Sequence, residues 1–528
     1  MEPVSLRAAA SDAPGGGSPH TRWITHGTVF FTGAAVLIIE IIGTRLLAPF
    51  YGANLYSWSA LISVTLLALA VGYYLGGRLA DSRGSPGLLD GVIALSAVCV
   101  AAVPPLAHSV ADPLAAAGPR AGVLASALVC FGPPLTLLGM ITPIAVRVAA
   151  PDFAHLGRSV GSIYAFSTAG SIAGALAAGF LLLPAVRVSR ICYAVAFALA
   201  VLAAARVLAR GSLSALGLLP VAALAAWGVL APTHPAGPAQ AAGNFRVTAV
   251  YPSFYGTVKV LEDSAVRYLV IDGMCHNAQS IAERDSVLPY VSVFGVLPYL
   301  KPGGRDLLLI GLGAGDMVRM LGEFGIRTTA VEIDPIVARA AFRHFGLPPE
   351  EVELAIEDGR AYLRRATARY DFLILDAFAG GSPPGHLFSR EAFAEMRAAL
   401  RDGGVLGVNM IARSTADPLV ADLAETIGAV FPYRLAVATA PQASELGNVI
   451  FFASDRPLEL PSRLEPSPAN ARLRRFLERL PEMELDIDAR KGRVITDDFN
   501  PLEALAAPTE EAMRRAGRAA VPAAVLAP

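Results

Sequence analysis

Seven stretches of this 528-residue chain stay apolar for about twenty residues each, and nothing else in the sequence constrains the fold as strongly. They run approximately from Thr28 to Leu47, Leu55 to Gly77, Leu88 to Ala107, Ala121 to Val146, Val160 to Pro184, Ile191 to Ala209 and Leu213 to Ala231. Hydrocarbon offers no partner for an unpaired backbone group, so such stretches cross a bilayer as helices. Hydrophobic residues make up 54% of the chain and charged residues 16%, too apolar a balance for a purely soluble protein. A transmembrane bundle of about seven helices is therefore expected over residues 27–232, after a disordered tail at residues 1–26; the apolar run that follows the tail ends without the small-residue cleavage site of a signal peptide.

Within the fifth segment, Gly170 and Gly174 form a GxxxG with Ala178 one turn on, a pattern that lets helices approach closely. Glu40 in the first segment needs either an arginine partner or a polar path at membrane depth. Arg78 and Arg83, with Arg147 and Arg158 two helices later, place the N-terminus inside. Seven crossings would then leave the rest of the chain outside. A cytosolic nucleotide for the second domain conflicts with this, so either the helix count is off by one or the arginine rule misleads here; the expected location is the cell membrane with the following domain on the cytoplasmic side. The net charge of -1 offers no basic surface for nucleic acid. Cys99, Cys130, Cys192 and Cys275 show no metal-ligand spacing.

A Pro- and Ala-rich linker, residues 233–244, separates the bundle from a second domain at 245–508, with a tail at 509–528. TVKVLE from Thr257, a turn at Asp263 and Ser264, and VRYLVID read as a β-hairpin. A helix is expected from about Glu283 to Leu300. The runs DLLLIG, TTAVEI, VELAIE, DFLILD and GVLGVN then alternate with helical patterns, which is the signature of a doubly wound α/β sheet.

The run Ile310 to Asp316, IGLGAGD, stands where a strand ends and a helix begins, and Gly311, Gly313 and Gly315 suit a tight turn against a ligand. Glu332 ends the next strand, where a carboxylate can accept both ribose hydroxyls. Asp358 with Gly359 ends the third strand, a position suited to an adenine amino group, and Asp376 ends the fourth. Successive carboxyl ends of parallel strands face one crevice. GxGxG followed by Asp, without the third glycine of GxGxxG, suits an adenosyl sulfonium better than a dinucleotide. His276 and His386 lack partners at ligand spacing, so no metal is expected.

GLGAGD, Val331-Glu332-Ile333-Asp334, Asp358-Gly359-Arg360 and Leu375-Asp376 resemble the motifs of spermidine synthases, the polyamine aminopropyltransferases, and especially bacterial members fused to a membrane bundle. Ile271-Asp272-Gly273 followed by Gln279 resembles the family's hairpin with its cofactor-contacting glutamine; His386 to Ser389 and Thr496 to Pro501 resemble the fused branch. The likeness covers about Tyr255 to Leu505. It implies a Rossmann-like, methyltransferase-fold sheet that binds decarboxylated S-adenosylmethionine through Gln279, Gly311, Gly313, Gly315, Asp316, Glu332, Asp358 and Gly359. Asp376 is then the catalytic base, and a small amine acceptor is met by Asp285 and Tyr290. The family's second acceptor aspartate is Ala379 here, so recognition of a diamine is in question. Asp497 and Asp498 either close over the acceptor or cap the turn before Pro501. A homo-oligomer is compatible with the resemblance. Two alternatives stay open: an S-adenosylmethionine-dependent methyltransferase acting on a membrane-delivered acceptor, and a transporter gated by a nucleotide-sensing domain.

Overall fold

In a computed structural model, which describes residues 19–149, 156–212, 219–230, 241–242, 244–440, 446–464, 471–487 and 491–521, the apolar stretches form a helical bundle. Its helices are α1 (Pro19–Tyr51), α2 (Leu55–Arg83), α3 (Pro86–Ala115), α4 (Gly118–Ala149), α5 (Leu156–Leu176), α6 (Leu183–Ala185), α7 (Val188–Leu208) and α8 (Leu219–Leu230). A π-helical stretch, Ala177–Leu182, joins α5 to α6. Side-chain caps mark the turns: the Asn54 carboxamide accepts from Ser57 N at 3.2 Å, and Ser85 Oγ from Leu88 N at 3.2 Å.

Six of these helices are long and apolar enough to cross a membrane, counting α5 to α6 as one. Of the expected seventh, only residues 219–230 are described. Its described part, α8, has 12 residues, and at 1.5 Å per residue it covers about 18 Å of a roughly 30 Å hydrocarbon core. It packs on α7, with Gly228 against the ring of Tyr193. The GxxxG works as a contact surface: a Cβ on Gly170 would lie 1.9 Å from Phe30 O, and one on Gly174 2.5 Å from Ala34 O. Asp90 is the buried bundle acid that finds arginines, Arg206 at 2.6 Å and Arg210, whereas Glu40 joins no ion pair among the described residues.

Beyond the bundle, an antiparallel five-stranded sheet runs in order through β1 (Ala241–Ala242), β2 (Phe245–Pro252), β3 (Thr257–Glu262), β4 (Val266–Ile271) and β5 (Met274–Ser280). The β4–β5 turn is made by Asp272 and Gly273 at φ +46° and +78°. The helix expected from Glu283 starts only at Pro289: residues before it continue the hairpin, with Gln279 bridged to Ser286. Proline has no N–H to give a preceding turn, so it suits the first turn of α9 (Pro289–Val293).

The second sheet has eight strands: β6 (Asp306–Ile310), β7 (Arg327–Glu332), β8 (Val352–Ile356), β9 (Tyr370–Leu375), β10 (Leu400–Ala412), β11 (Tyr433–Ala438), β12 (Gly447–Ser454) and β13 (Glu484–Leu485). Their spatial order is β13-β11-β12-β10-β9-β6-β7-β8, parallel from β10 to β8 and antiparallel beyond. Helices α10 (Leu297–Leu300), α11 (Asp316–Gly322), α12 (Pro335–His344), α13 (Gly359–Arg365), α14 (Arg390–Ala399), α15 (Pro418–Gly428) and α16 (Ala471–Leu477) connect the strands, with apolar cores on both faces of the sheet. This is the doubly wound, Rossmann-like arrangement. Ile310 pairs with both Val331 and Leu375, so the strand ends that carry the acids are level.

The expected C-terminal tail is a helix, α17 (Leu502–Ala520), and it is amphipathic enough to be buried along one side. Its Arg514 and Glu510 are almost completely enclosed and paired at 2.9 Å. Arg514 donates to Pro49 O of α1 at 3.3 Å, to Asp272 O at 3.0 Å and to Gly380 O at 2.5 Å. Glu510 accepts from Asn54 Nδ2 at 3.2 Å and from Ser382 Oγ at 2.8 Å. Arg45 near the end of α1 adds bonds to Phe254 O and to Asp272. The second domain thus docks on the C-terminal end of α1, opposite the end where α1 begins. Truncating one partner of a buried ion pair strands the other, at a cost of roughly 3–5 kcal/mol. Arg514→Met should therefore lower unfolding stability in detergent micelles by that amount in denaturant titration, and Arg514→Met with Glu510→Met should recover part of it; a single variant as stable as the parent contradicts the clamp.

Candidate functional site

β6 hands the chain to α11 through Gly311, Leu312, Gly313, Ala314 and Gly315. Gly311 has φ +97°, and a Cβ there would lie 2.1 Å from Asp376 O; Gly313 has φ +57°, and a Cβ there would lie 2.3 Å from Asn277 Oδ1. Both positions require glycine for conformation and for space. Asn277 Oδ1 accepts from Ala314 N at 3.0 Å, tying the hairpin to this loop.

At the end of β7 the Glu332 carboxylate accepts from Leu312 N at 3.0 Å and Asp334 N at 2.9 Å. Burial pushes its pKa up against the pull of those donors. Asp358 caps α13 through Arg360 N at 3.0 Å and Ala361 N at 2.9 Å, and its other oxygen meets His386 Nε2 at 2.8 Å. Burial opposes ionisation of Asp358, but the Ala361 N–H and His386 outweigh it and hold the carboxyl below its usual value.

Asp376 follows β9. Its oxygens accept from Asn409 Nδ2 at 2.7 Å and from the Tyr290 hydroxyl at 3.3 Å, and Asn448 Nδ2 donates to Asn409 Oδ1 at 2.9 Å. Burial raises the Asp376 carboxyl to about 6, and the two donors offset only part of that rise. Tyr290 is held well above the ordinary phenol range by burial and by the charges of Asp376 and Asp316. Burial and Arg514 depress His276 to about 4, which leaves it neutral near pH 7.

Gly311, Gly313, Glu332, Asp358, Gly359, Asp376 and Tyr290 line one cavity of about 540 Å³. Gln279, Gly315, Asp316 and Asp285 do not line it. Gln279 instead donates to Asp316 at 2.8 Å and to Phe345 O at 3.3 Å, and Arg319 pairs with Asp316 and donates to Phe345 O at 2.6 Å. This enclosed bracket fixes α11 and the glycine loop against the hairpin. Gly315 packs on Leu347, and Asp285 lies in the turn after β5, where its carbonyl accepts from Ser280 N. Asp497 neither lines the cavity nor closes over it: Arg360 grips it at 2.7 Å through two nitrogens, and that pairing pulls it down to about 2. Among the described residues lining the cavity, none is lysine or arginine.

Several site residues carried little sequence signal. Asn409 had one: it closes the run GVLGVN, and the Val408–Leu375 pairing sets it beside Asp376. Asn277 sits in the hairpin on β5, Asn448 at the start of the antiparallel strand β12, and Met513 reaches the cavity from α17, which nothing local foretold.

Residues 292–460 match the family model described as the spermine/spermidine synthase domain. The C-terminal region carries a spermine/spermidine synthase domain. The synthase domain is a transferase domain, and its relatives include the Vibrio vulnificus polyamine aminopropyltransferase, 29% identical over 41% of this chain and 75% of that protein. The N-terminal histidine N-methyltransferase of Emericella nidulans is 29% identical over 46% of this chain and 48% of that protein. The chain spans from two fifths to three quarters of the length of the first few curated relatives it matches. Among solved structures, a probable spermidine synthase from Corynebacterium glutamicum aligns with TM-score 0.38 and 22% identity, covering 43% of this chain and 86% of that one.

An aspartate that titrates near 6 when folded and near 3.9 when unfolded holds its proton more tightly in the folded state. Ionisation of Asp376 therefore opposes folding once the pH rises through that window, and has no effect below it. Asp376→Asn should raise the unfolding midpoint of ligand-free protein more at pH 8 than at pH 4. Equal shifts at the two pH values would contradict the raised value.

Proposed function

We propose that the synthase domain transfers the aminopropyl group of decarboxylated S-adenosylmethionine to an amine. The observation that carries this reading is the distribution of charge in the cavity: acids at successive strand ends around a glycine loop, with no lysine or arginine on the described walls. A sulfonium is attracted by such a site. The carboxylate of intact S-adenosylmethionine finds no lysine or arginine among the described residues of its walls.

Glu332, already oriented by two backbone donors, accepts the ribose hydroxyls, and Asp358 with His386 forms the adenine end. The glycine loop brings backbone close to the sulfur, while Gln279 and Asp316 hold that loop in place. The co-substrate supplies the electrophile, a propyl carbon bonded to a sulfonium. Asp376 then faces the acceptor. Displacement needs a neutral amine lone pair in line with the carbon–sulfur bond, so a base must take the amine's proton. Asp376 takes that proton; as the carbon–nitrogen bond then forms and the carbon–sulfur bond breaks, the sulfur leaves as a neutral thioether and the product departs as a secondary ammonium. Tyr290 and Asn409 orient the carboxylate.

Asp376→Asn keeps the hydrogen-bonding shape and removes the base. It should lower formation of the thioether product by roughly 10²–10⁴-fold while titration of decarboxylated S-adenosylmethionine into the full chain gives a similar affinity. Unchanged turnover would refute the role. The same titration with S-adenosylmethionine separates the second reading, methyl transfer, which draws on the Emericella nidulans relative: tighter binding of the methyl donor and a methylated product would replace aminopropyl transfer.

The bundle anchors this chemistry in the cell membrane, with the synthase domain on the cytoplasmic side where the nucleotide is made. Because the domain docks at the far end of α1, the start of α1 and the arginine-bearing ends at Arg83 and Arg147 then lie on the other side. A fluorescent protein fused at the C-terminus should fluoresce; a silent fusion, with activity from a periplasmic phosphatase fused at the same place, would reverse the orientation.

A further inference from the structure

Strand order divides the cavity into two unlike ends. From the ends of β7 and β8 come four acids, Glu332, Asp334, Glu357 and Asp358, beside Val331, Ile333 and Val337. From β9, β10 and β12, on the other side of β6, come Asp376, Phe378, Ala379, Ile411 and Leu446, and the hairpin and α17 add Met274 and Met513. On this second side Asp376 is the one charged side chain among the described residues lining the wall. Neutral groups, Asn409 and Tyr290, meet its oxygens.

This apolar end also sits on the bundle. A Cβ on Gly380 would lie 3.8 Å from Ala53 N in the α1–α2 turn, and one on Gly273, beside Met274, 3.3 Å from Pro49 O. The acceptor end of the site therefore lies against the bundle, with Met274, Phe378 and Met513 on its surface beside the uncharged amides Asn409 and Asn448.

Resting on the aminopropyl transfer proposed above, we infer that the acceptor is a primary amine on an apolar chain or ring, not a compact diamine. Asp376 binds and deprotonates its single amine, and Met274, Phe378, Ile411 and Met513 cover its apolar body. A second ammonium on a short diamine would have to shed water against methionine and isoleucine, which is unfavourable without a paired charge. Burying each methylene instead strengthens binding by roughly three- to fourfold.

The test uses the full chain in detergent micelles with decarboxylated S-adenosylmethionine and a series of acceptors: propylamine, butylamine, pentylamine, hexylamine and putrescine. The rate of thioether release and the mass of the alkylated amine are recorded. The expected result is a kcat/KM that climbs roughly threefold per added methylene from propylamine to hexylamine, with putrescine below butylamine. Met513→Ser, which removes part of the wall but leaves Arg514 and Glu510 in place, should flatten the climb. A flat series, or putrescine above hexylamine, overturns the inference while leaving aminopropyl transfer standing. If the Met513→Ser series climbs as steeply as the parent, Met513 is not part of the acceptor wall and the assignment of that wall fails. No alkylated product from any amine overturns both this inference and the transfer reading beneath it.

Discussion

A carboxylate held in an apolar wall by uncharged donors alone is the constraint around which the synthase domain is arranged. Asp376 has Asn409 and Tyr290 as partners and, among the described residues lining the cavity, no lysine or arginine beside it, so burial keeps its proton within reach of neutral pH. In the proposed transfer, that condition suits a group that accepts the amine's proton. It also dictates its surroundings: Gly311 has to lack a side chain because the Asp376 carbonyl presses on it, and Tyr290 has to leave the hairpin at Pro289 to reach the carboxylate. Asn409 arrives by strand register, and Asn448 holds its amide in the donating orientation.

The bundle and the synthase domain meet through few but enclosed polar contacts. Arg514 satisfies carbonyls from α1, the β4–β5 turn and the loop after Asp376, so one guanidinium ties together the bundle, the hairpin and a wall of the cavity. Glu510 neutralises it and collects Asn54 and Ser382. Arginine suits this junction because its planar fork addresses several acceptors at once and stays charged when buried. The cavity's shape is coupled in this way to the end of α1 and the start of α2.

Much of this was legible in the sequence because periodicity and strand-end chemistry are local signals. The five apolar runs became β6 to β10 in the expected order, and Gly311, Gly313, Glu332, Asp358, Gly359, Asp376 and Tyr290 came to line one cavity. What escaped was set by long-range packing. Residues 509–520 look polar enough for a tail, yet α17 is buried because its charged residues find partners on three other elements. Gln279 and Asp316 sit at motif positions but turn toward Phe345 and Arg319, since the interior beneath the glycine loop needs its polar groups paired. The last apolar segment is described only over α8, which packs on α7.

The central claim is that Glu332, Asp358 and Asp376 surround a single adenosine-linked sulfur ligand. Solving the structure of the full chain with 5′-methylthioadenosine bound tests it most directly. The account predicts ribose hydroxyls on Glu332, the adenine toward Asp358 and His386, and the sulfur on the side of Asp376. Nucleoside bound elsewhere, or lying in the cavity with its sulfur turned away from Asp376, would contradict it.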